Sequence, residues 1–315
     1  MSIVKKVLSA AVVAGLVSTV GIVPAEAAPK NQSRSVAQPD WLEANLDNPK
    51  VRIIEVSTEP GIYERGHIKN AIKFVWHTDL VDTVNRDIIN AKNFSKLVQK
   101  AGISDDTTVV LYGDKNNWFA AWGAWIFNIY GQKDVRVLDG GRVKWEKDGR
   151  ALTTAVPTFA PGNFSASKGD KTLRATLIND VLPVAKKRAK ATLIDIRSAD
   201  EYNGKVFAPA GFQELAVRAG HIPGAINVPW GLNVNADGTF KTVADLKKLY
   251  ADKGIDGKQN IITYCRIGER SSLTWFVLSE ILGYEVKNYD GSWTEYGNSV
   301  GVPIQNNAGT IWGAA

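Results

Sequence analysis

The chain runs through one series of patterns twice, in the same order, at an offset of about 150 residues. In the first half Val51-Arg52-Ile53-Ile54-Glu55-Val56 reads as a buried strand, and Tyr63-Glu64-Arg65-Gly66-His67-Ile68-Lys69-Asn70-Ala71-Ile72 follows it. The second half has Ala191-Thr192-Leu193-Ile194-Asp195-Ile196-Arg197 and then Ala219-Gly220-His221-Ile222-Pro223-Gly224-Ala225-Ile226-Asn227. Further on, Thr108-Val109-Val110-Leu111-Tyr112-Gly113 parallels Asn260-Ile261-Ile262-Thr263-Tyr264-Cys265. A helix-like apolar segment ending at Gly131 matches one ending at Gly283, and Val137-Leu138-Asp139-Gly140-Gly141 is echoed by Asn288-Tyr289-Asp290-Gly291-Ser292. A tandem duplication restricts the fold to one that a unit of this length can build twice.

Each unit alternates short, wholly apolar strands with helical patterns at residues 94–101, 118–130, 243–251 and 271–282. In the last of these Leu273, Phe276, Val277 and Ile281 share one face, and Gly283 supplies the stop. Strands without a polar face, alternating with helices, predict an α/β fold: in each unit a mostly parallel sheet with helices on both faces. The expected division is an inactive domain at 39–156, a Pro/Gly/Ser-rich linker at 157–171, a catalytic domain at 172–305 and a tail at 306–315. Hydrophobic content of 44% is ample for two cores.

The duplication also serves as an internal control. Where the second unit carries Cys265, the first carries Gly113 followed by Asp114, with no nucleophile. Cys265 is the only cysteine, which excludes an internal disulfide, a Cys-x-x-Cys redox pair and a Cys-built zinc site. Three histidines (His67, His77, His221) make a His-rich metal centre improbable, and no metal is expected. The thiol ends an apolar strand and precedes Arg266-Ile267-Gly268-Glu269-Arg270-Ser271-Ser272, a loop that opens a helix. Backbone N–H groups and a helix start favour a thiolate there. A lone cysteine is ordinarily a small buried hydrophobe. Two arginines within five residues weigh toward the reactive reading. In parallel sheets ligands gather at the carboxyl ends of the strands, where this thiol lies. The first unit is expected to supply a wall of an interdomain cleft.

A net charge of +6 and a pI near 9.2 suit anionic ligands, but the lysines are scattered. The densest run, Lys186-Lys187-Arg188 with Lys190, reads as a solvated helix end, so no nucleic-acid partner is expected. At the N-terminus Lys5-Lys6, an apolar run over 7–23 and Ala25-Glu26-Ala27 describe a signal peptide over 1–27, cleaved near Ala27. Interrupted by Ser9, Gly15, Ser18, Thr19 and Gly21, the run is short for a membrane span. An exported protein without a stable span is expected, periplasmic or extracellular, with 28–38 as a flexible lead-in.

Three motifs carry a family resemblance. The loop from Cys265 to Ser271 resembles the active-site loop of rhodaneses, in particular tandem-domain thiosulfate sulfurtransferases of the bacterial type. Gly220-His221-Ile222-Pro223-Gly224-Ala225 is similar to the family's forward signature. The segment from Asn288 through Trp293-Thr294-Glu295-Tyr296-Gly297 is similar to its C-terminal one. The resemblance covers about residues 38–305 and implies two rhodanese-like domains, the first inactive. It implies that Cys265 takes the sulfane sulfur of thiosulfate as a persulfide, releases sulfite, and passes the sulfur to a thiophilic acceptor such as cyanide or a thiol. No cofactor beyond that covalent intermediate is implied. A monomer is expected.

By the same resemblance Arg270 is the first candidate for substrate binding, followed by Arg266 and Arg197. Ile267, Gly268, Glu269 and Ser271 form the loop cradle, and Asp195 and His67 have supporting roles. His67 and His221 occupy matching repeat positions, which favours a shared structural role, although His67 is also a candidate to face the cleft. Trp118, in Asn116-Asn117-Trp118-Phe119, is a candidate cleft residue with core packing as its default. Two positions depart from the animal members of the family: Ile267 stands for a lysine and Glu201 for a second substrate arginine. Arg218 and Lys205, in the insertion between Tyr202 and Gly220, are further candidates for anion binding.

Three rivals remain on sequence grounds. A 3-mercaptopyruvate sulfurtransferase resembles the chain in fold but carries a small uncharged loop. A related Cys-based phosphatase needs five residues between Cys and Arg, whereas four separate Cys265 from Arg270. An exported persulfide carrier would accept sulfur without turnover.

Overall fold

A computed structural model describes residues 33–213 and 215–313, so the signal-peptide expectation lies outside the described residues. Among the described residues, seven strands belong to the first unit: β1 (Val36–Ala37), β2 (Val51–Glu55), β3 (Ala71–Lys73), β4 (Val81–Asp82), β5 (Asp87–Ile88), β6 (Thr108–Tyr112) and β7 (Asp134–Leu138). Five belong to the second: β8 (Arg174–Ala175), β9 (Thr192–Asp195), β10 (Ile226–Asn227), β11 (Ile261–Tyr264) and β12 (Val286–Tyr289). The first sheet has the order β1-β7-β6-β2-β3 and the second β10-β9-β11-β12-β8. Reversing one list superimposes the two on the sequence repeat, and every pair within both sheets is parallel. The antiparallel hairpin β4-β5 stands apart.

Alternation along the central strands explains the layers, because successive residues of a strand point to opposite faces. In β6, Val109 and Leu111 join a core cluster that runs continuously into the second unit, while Val110 and Tyr112 pack on the outer side of the first. In β11, Ile261 faces the shared cluster, and Ile262 and Tyr264 face the outer core of the second unit. Both faces of each sheet are therefore covered, as wholly apolar strands require.

The inner layer is two helices packed on each other, Trp118–Ile129 and Glu269–Phe276, the latter continued by a wider π turn over Val277–Ile281. Ten of the twelve residues in Trp118–Ile129 are buried, so this helix is apolar all round. Its Gly123 lets it approach the sheet, because a Cβ there would lie 2.7 Å from Leu111 Cδ2.

Three stretches at the expected domain borders are tied to the fold, although only 28–38 was expected to be flexible. Val36–Ala37, at the end of the expected lead-in, pairs with Val137 and Leu138 as an edge strand. The expected linker straps the first domain: Gly162 N–H bonds to Gln99 O at 2.8 Å, Phe164 is buried, and Arg52 lies over the Phe159 ring. In the expected tail, Ala308 N–H bonds to Asn203 O and Ile311 bridges to Arg218. Apolar or hydrogen-bonding residues in polar surroundings hold all three. Among the described residues, no helix is long and apolar enough to cross a membrane, and no His/Cys/Asp/Glu group could hold a metal ion.

Candidate active site

Residues 265–268 turn from β11 into the helix Glu269–Phe276, and the turn is held on every side. Cys265 is fully buried, and Gly268 N–H donates to its Sγ at 3.1 Å. Gly268 has φ 101°, and a Cβ there would sit 2.5 Å from Asp290 O and 2.6 Å from Asp290 Oδ1, so only glycine fits. Ser292 accepts the Cys265 N–H at 3.0 Å, donates to Tyr289 O at 2.7 Å and lies 3.9 Å from Sγ. It does so at φ 49°, a left-handed conformation that costs a non-glycine residue about 1–2 kcal/mol. Trp293 N–H bonds to Cys265 O and Thr294 N–H to Arg266 O. The Asn288 carboxamide and the hydroxyls of Ser271 and Ser272 converge on Gly268 O. Gly268 is thus a donor to Sγ, and Ser271 braces the Gly268 carbonyl.

Ionisable side chains surround this frame. Arg270, in the first turn of the helix, pairs with Glu201 at 3.0 Å and lies over the Trp118 ring at 6.0 Å. Burial opposes its charge, but Cys265 and Glu201 more than offset that and raise its pKa. Glu201 also closes a capping box with Ser198. Burial pushes its carboxyl up, and Arg270 brings it below its ordinary value. The carboxylate at the position of the missing arginine is therefore the partner of the arginine that remains. Glu269 is buried with neither carboxyl oxygen hydrogen-bonded, and Arg86 approaches only to 3.8 Å. Burial, then Asp290 and Cys265, raise its pKa well above the usual carboxylate range.

Another charge crosses from the first domain. Arg86, at the tip of the β4-β5 hairpin, donates Nη1 to Asp290 Oδ2 at 2.8 Å and Nη2 to Ile267 O at 2.6 Å. Trp122 of the first domain donates its indole N–H to the other oxygen of Asp290 at 2.9 Å. Burial opposes the Arg86 charge, and Asp290, Glu269 and Cys265 together raise its pKa. Ile267 contributes its carbonyl. Trp118, half-buried, meets Trp230 edge-on and Arg270 face-on, so it sits between the domains.

Other candidates are placed elsewhere. Arg266 turns to the insertion, donating to Gln213 O at 2.7 Å and lying over Phe212. Arg197 is buried, chelates Asp195, donates to Gly220 O at 2.7 Å and lies over Trp293. It is a structural clamp rather than an anion site, since its buried guanidinium already has its counter-charge. Asp195 is the other half of that clamp. The first copy builds the same clamp differently: Glu55 accepts from Tyr112 and from Arg142, and Arg142 reaches Gly66 O. His67 stacks on Tyr63 and bonds to Tyr63 O and Ala155 O, as His221 stacks on Tyr202. His67 therefore belongs to the fold and not to the cleft. Arg218 ties down the carbonyls of Tyr296, Gly297 and Ser299, and Lys205 pairs with Asp200 on the surface.

At the position of Cys265, Gly113 donates its N–H to Asn117 Oδ1 at 3.0 Å, and three successive left-handed residues, Lys115, Asn116 and Asn117, close the loop. Arg86, Asp290, Trp122 and Ser292 were not singled out by sequence reasoning. For Ser292 a signal existed, since the repeat aligns it with Gly141, itself at φ 56°. For Arg86 none did, because its partners lie 181 and 204 residues away.

The chain matches the model of the "Rhodanese-like domain" at residues 38–148 and again at 182–299. It is 53% identical over 268 residues to "Putative thiosulfate sulfurtransferase 1" of Mycobacterium bovis, covering 84% of this chain and 95% of that one. It is 52% identical over 269 residues to "Sulfur carrier protein TtuD" of Thermus thermophilus, covering 84% and 94%. Among solved structures it is similar to a 3-mercaptopyruvate sulfotransferase, SseA of Escherichia coli, at 27% identity with a TM-score of 0.70, covering 82% of this chain and 98% of that one.

Proposed function

Because the chain belongs to the rhodanese family and is a sulfurtransferase in kind, we propose that it moves the sulfane sulfur of thiosulfate to a thiophilic acceptor through a persulfide on Cys265. The carrying observation is the Gly268 N–H aimed at Sγ from 3.1 Å, in a loop that only one of the two copies possesses. In the first half-reaction the Cys265 thiolate attacks the outer sulfur of thiosulfate. A Cys–S bond forms as the S–S bond of thiosulfate breaks, and sulfite departs with the electron pair. In the second, cyanide or a thiolate attacks the terminal sulfur, and the cysteine leaves as thiolate. Two half-reactions separated by a covalent intermediate give ping-pong kinetics. The loop N–H holds negative charge in each step and Arg270 supplies positive charge beside it. No further cofactor enters this scheme.

The test is intact mass after thiosulfate: a gain of one sulfur on the wild type and none on Cys265→Ala supports the reading. An unchanged wild-type mass overturns it. The relative named as a sulfur carrier and the burial of Cys265 favour a second reading, a carrier that loads sulfur and waits for a protein acceptor. A burst of sulfite equal to enzyme, without steady turnover on cyanide or small thiols, would select it. The ratio of rates with thiosulfate and 3-mercaptopyruvate tests the remaining rival, which a large preference for the latter would establish.

We also propose export, on the pattern of residues 1–27. A mature N-terminus at Ala28 supports it, and an intact Met1 on the native protein rejects it.

A further inference from the structure

We propose that Arg86, supplied by the domain that lacks the thiol, is a positioning residue for the sulfur chemistry of the other domain. It aims the Gly268 N–H at Cys265 Sγ by holding the opposite end of the same peptide unit. The inference rests on the reading of Cys265 as the sulfur-carrying residue.

The geometry is that of one amide. Arg86 Nη2 donates to Ile267 O at 2.6 Å, and the N–H of the following residue, Gly268, donates to Sγ at 3.1 Å. Carbonyl and N–H of a trans peptide point in opposite directions, and the described residues contain no cis bond. Fixing the carbonyl toward the first domain therefore turns the N–H toward the sulfur. A cation on the carbonyl also polarises the amide and strengthens its N–H as a donor. Without it Gly268, which has no side chain to restrain it, is the residue best able to let this peptide rotate.

The fork is itself held. Asp290 Oδ2 accepts Nη1 at 2.8 Å, and Trp122 fixes the other oxygen of Asp290. One planar guanidinium spans a carboxylate and a carbonyl, which an ammonium cannot do in the same way. The repeat shows that the arginine is specific to this side. The matching turn of the second domain, closed by the Val234–Phe240 bridge, has Gly238 against the thiol-less loop. A Cβ on Gly238 would lie 3.3 Å from Asn116 Oδ1 and 3.4 Å from Gly140 O. Gly238 has φ 82° and Arg86 has φ 51°. The first domain thus keeps a long side chain at a turn where glycine would be unstrained.

Arg86 lines an open cleft of about 460 Å³ together with Arg174, Thr176, Asp290 and Glu295, so a small cation can reach its place. The experiment uses the full chain as Arg86→Gly, a change that relieves the turn while removing the guanidinium. Arg86→Lys is a second variant that keeps the charge. Three readouts are taken: the pH profile of Cys265 alkylation by iodoacetamide, single-turnover sulfur loading from thiosulfate, and melting temperature. The expected result for Arg86→Gly is an alkylation profile displaced to higher pH and loading slowed about tenfold or more, below the roughly hundredfold to thousandfold cost of losing an oxyanion donor outright. Millimolar guanidinium should restore part of both, and Arg86→Lys should recover less than the wild-type rate. An unshifted alkylation profile overturns the proposal, as does a displaced profile that guanidinium leaves unchanged in a variant melting like the wild type. Should the wild type itself load no sulfur, the sulfur-transfer reading fails, and the alkylation arm alone decides whether Arg86 controls the thiol.

Discussion

Trp122 of the first domain donates its indole N–H to Asp290 of the second at 2.9 Å, and both are buried. The relation is reciprocated by the repeat: Asp139, the counterpart of Asp290, accepts Phe240 N–H from the second domain at 2.8 Å. Each unit lends a donor to the other's Asp-Gly turn, so neither turn is finished within its own domain.

Removing the indole donor should be felt as stability. Trp122→Phe keeps an aromatic ring, though a smaller one, and leaves Asp290 Oδ1 without its buried donor, which by itself costs about 1–3 kcal/mol. Denaturant unfolding should show that loss, and a variant as stable as the wild type would refute the assignment.

Among the described residues, Glu201 is the carboxylate that pairs with Arg270. Glu201→Gln keeps a hydrogen-bonding side chain and removes the compensating charge, so thiosulfate should bind more tightly, with KM falling about threefold to tenfold. The wild-type carboxyl has its pKa lowered, so its contribution to stability is present above the unfolded value near 4.5 and is lost as pH falls through the lower folded value. The variant should lack this acid-side loss in a melting series, and an unchanged KM would count against the charge argument.

The buried carboxyl of Glu269 behaves in the opposite sense. Its folded pKa is raised from 4.5, so stability is fully present below that value and declines as pH rises toward the folded pKa. The slope is about 1.4 kcal/mol per pH unit for one proton. Glu269→Gln should melt above the wild type at neutral pH, with the gap closing as pH approaches 4.5. A constant gap across that range would mean that Glu269 is ionised in the fold.

Cys265 is fully buried, so its reactivity should depend on reagent size as well as on charge. Relative to a free thiol, Cys265 should discriminate against a bulky aromatic disulfide over iodoacetamide by about tenfold or more. Equal relative rates would require an open thiol. Peroxide adds a second check: thiosulfate should protect activity if sulfur caps the thiol, and equal inactivation with and without it would contradict a persulfide.

The sheets were legible because β6 and β11 are runs of apolar and β-branched residues that leave no polar face to misplace. Cys265 was legible because the duplication isolates it. Arg197 stayed ambiguous because an Asp-x-Arg pair at a strand end reads alike whether the arginine turns to a ligand or back onto the aspartate. What separates the two is the burial supplied by Trp293 and Tyr264, which is tertiary. The same limit hid Arg86: a charged residue in a polar turn looks solvated until the partner domain closes on it. The lead-in misled for a related reason, since Val36 and Ala37 are buried apolar residues at the end of a polar stretch.

The duplicated copy cannot easily regain what it lacks. A Cβ placed on Gly113 would come within 2.2 Å of Val56 O, closer than any real contact, and Asn117 folds back to take the Gly113 N–H, whose counterpart at Cys265 is held by Ser292. Restoring a nucleophile there would demand a shifted strand and a rebuilt turn together. The asymmetry therefore works as a ratchet: the more the silent half specialises in supporting its sister, the fewer single steps lead back to two equal enzymes.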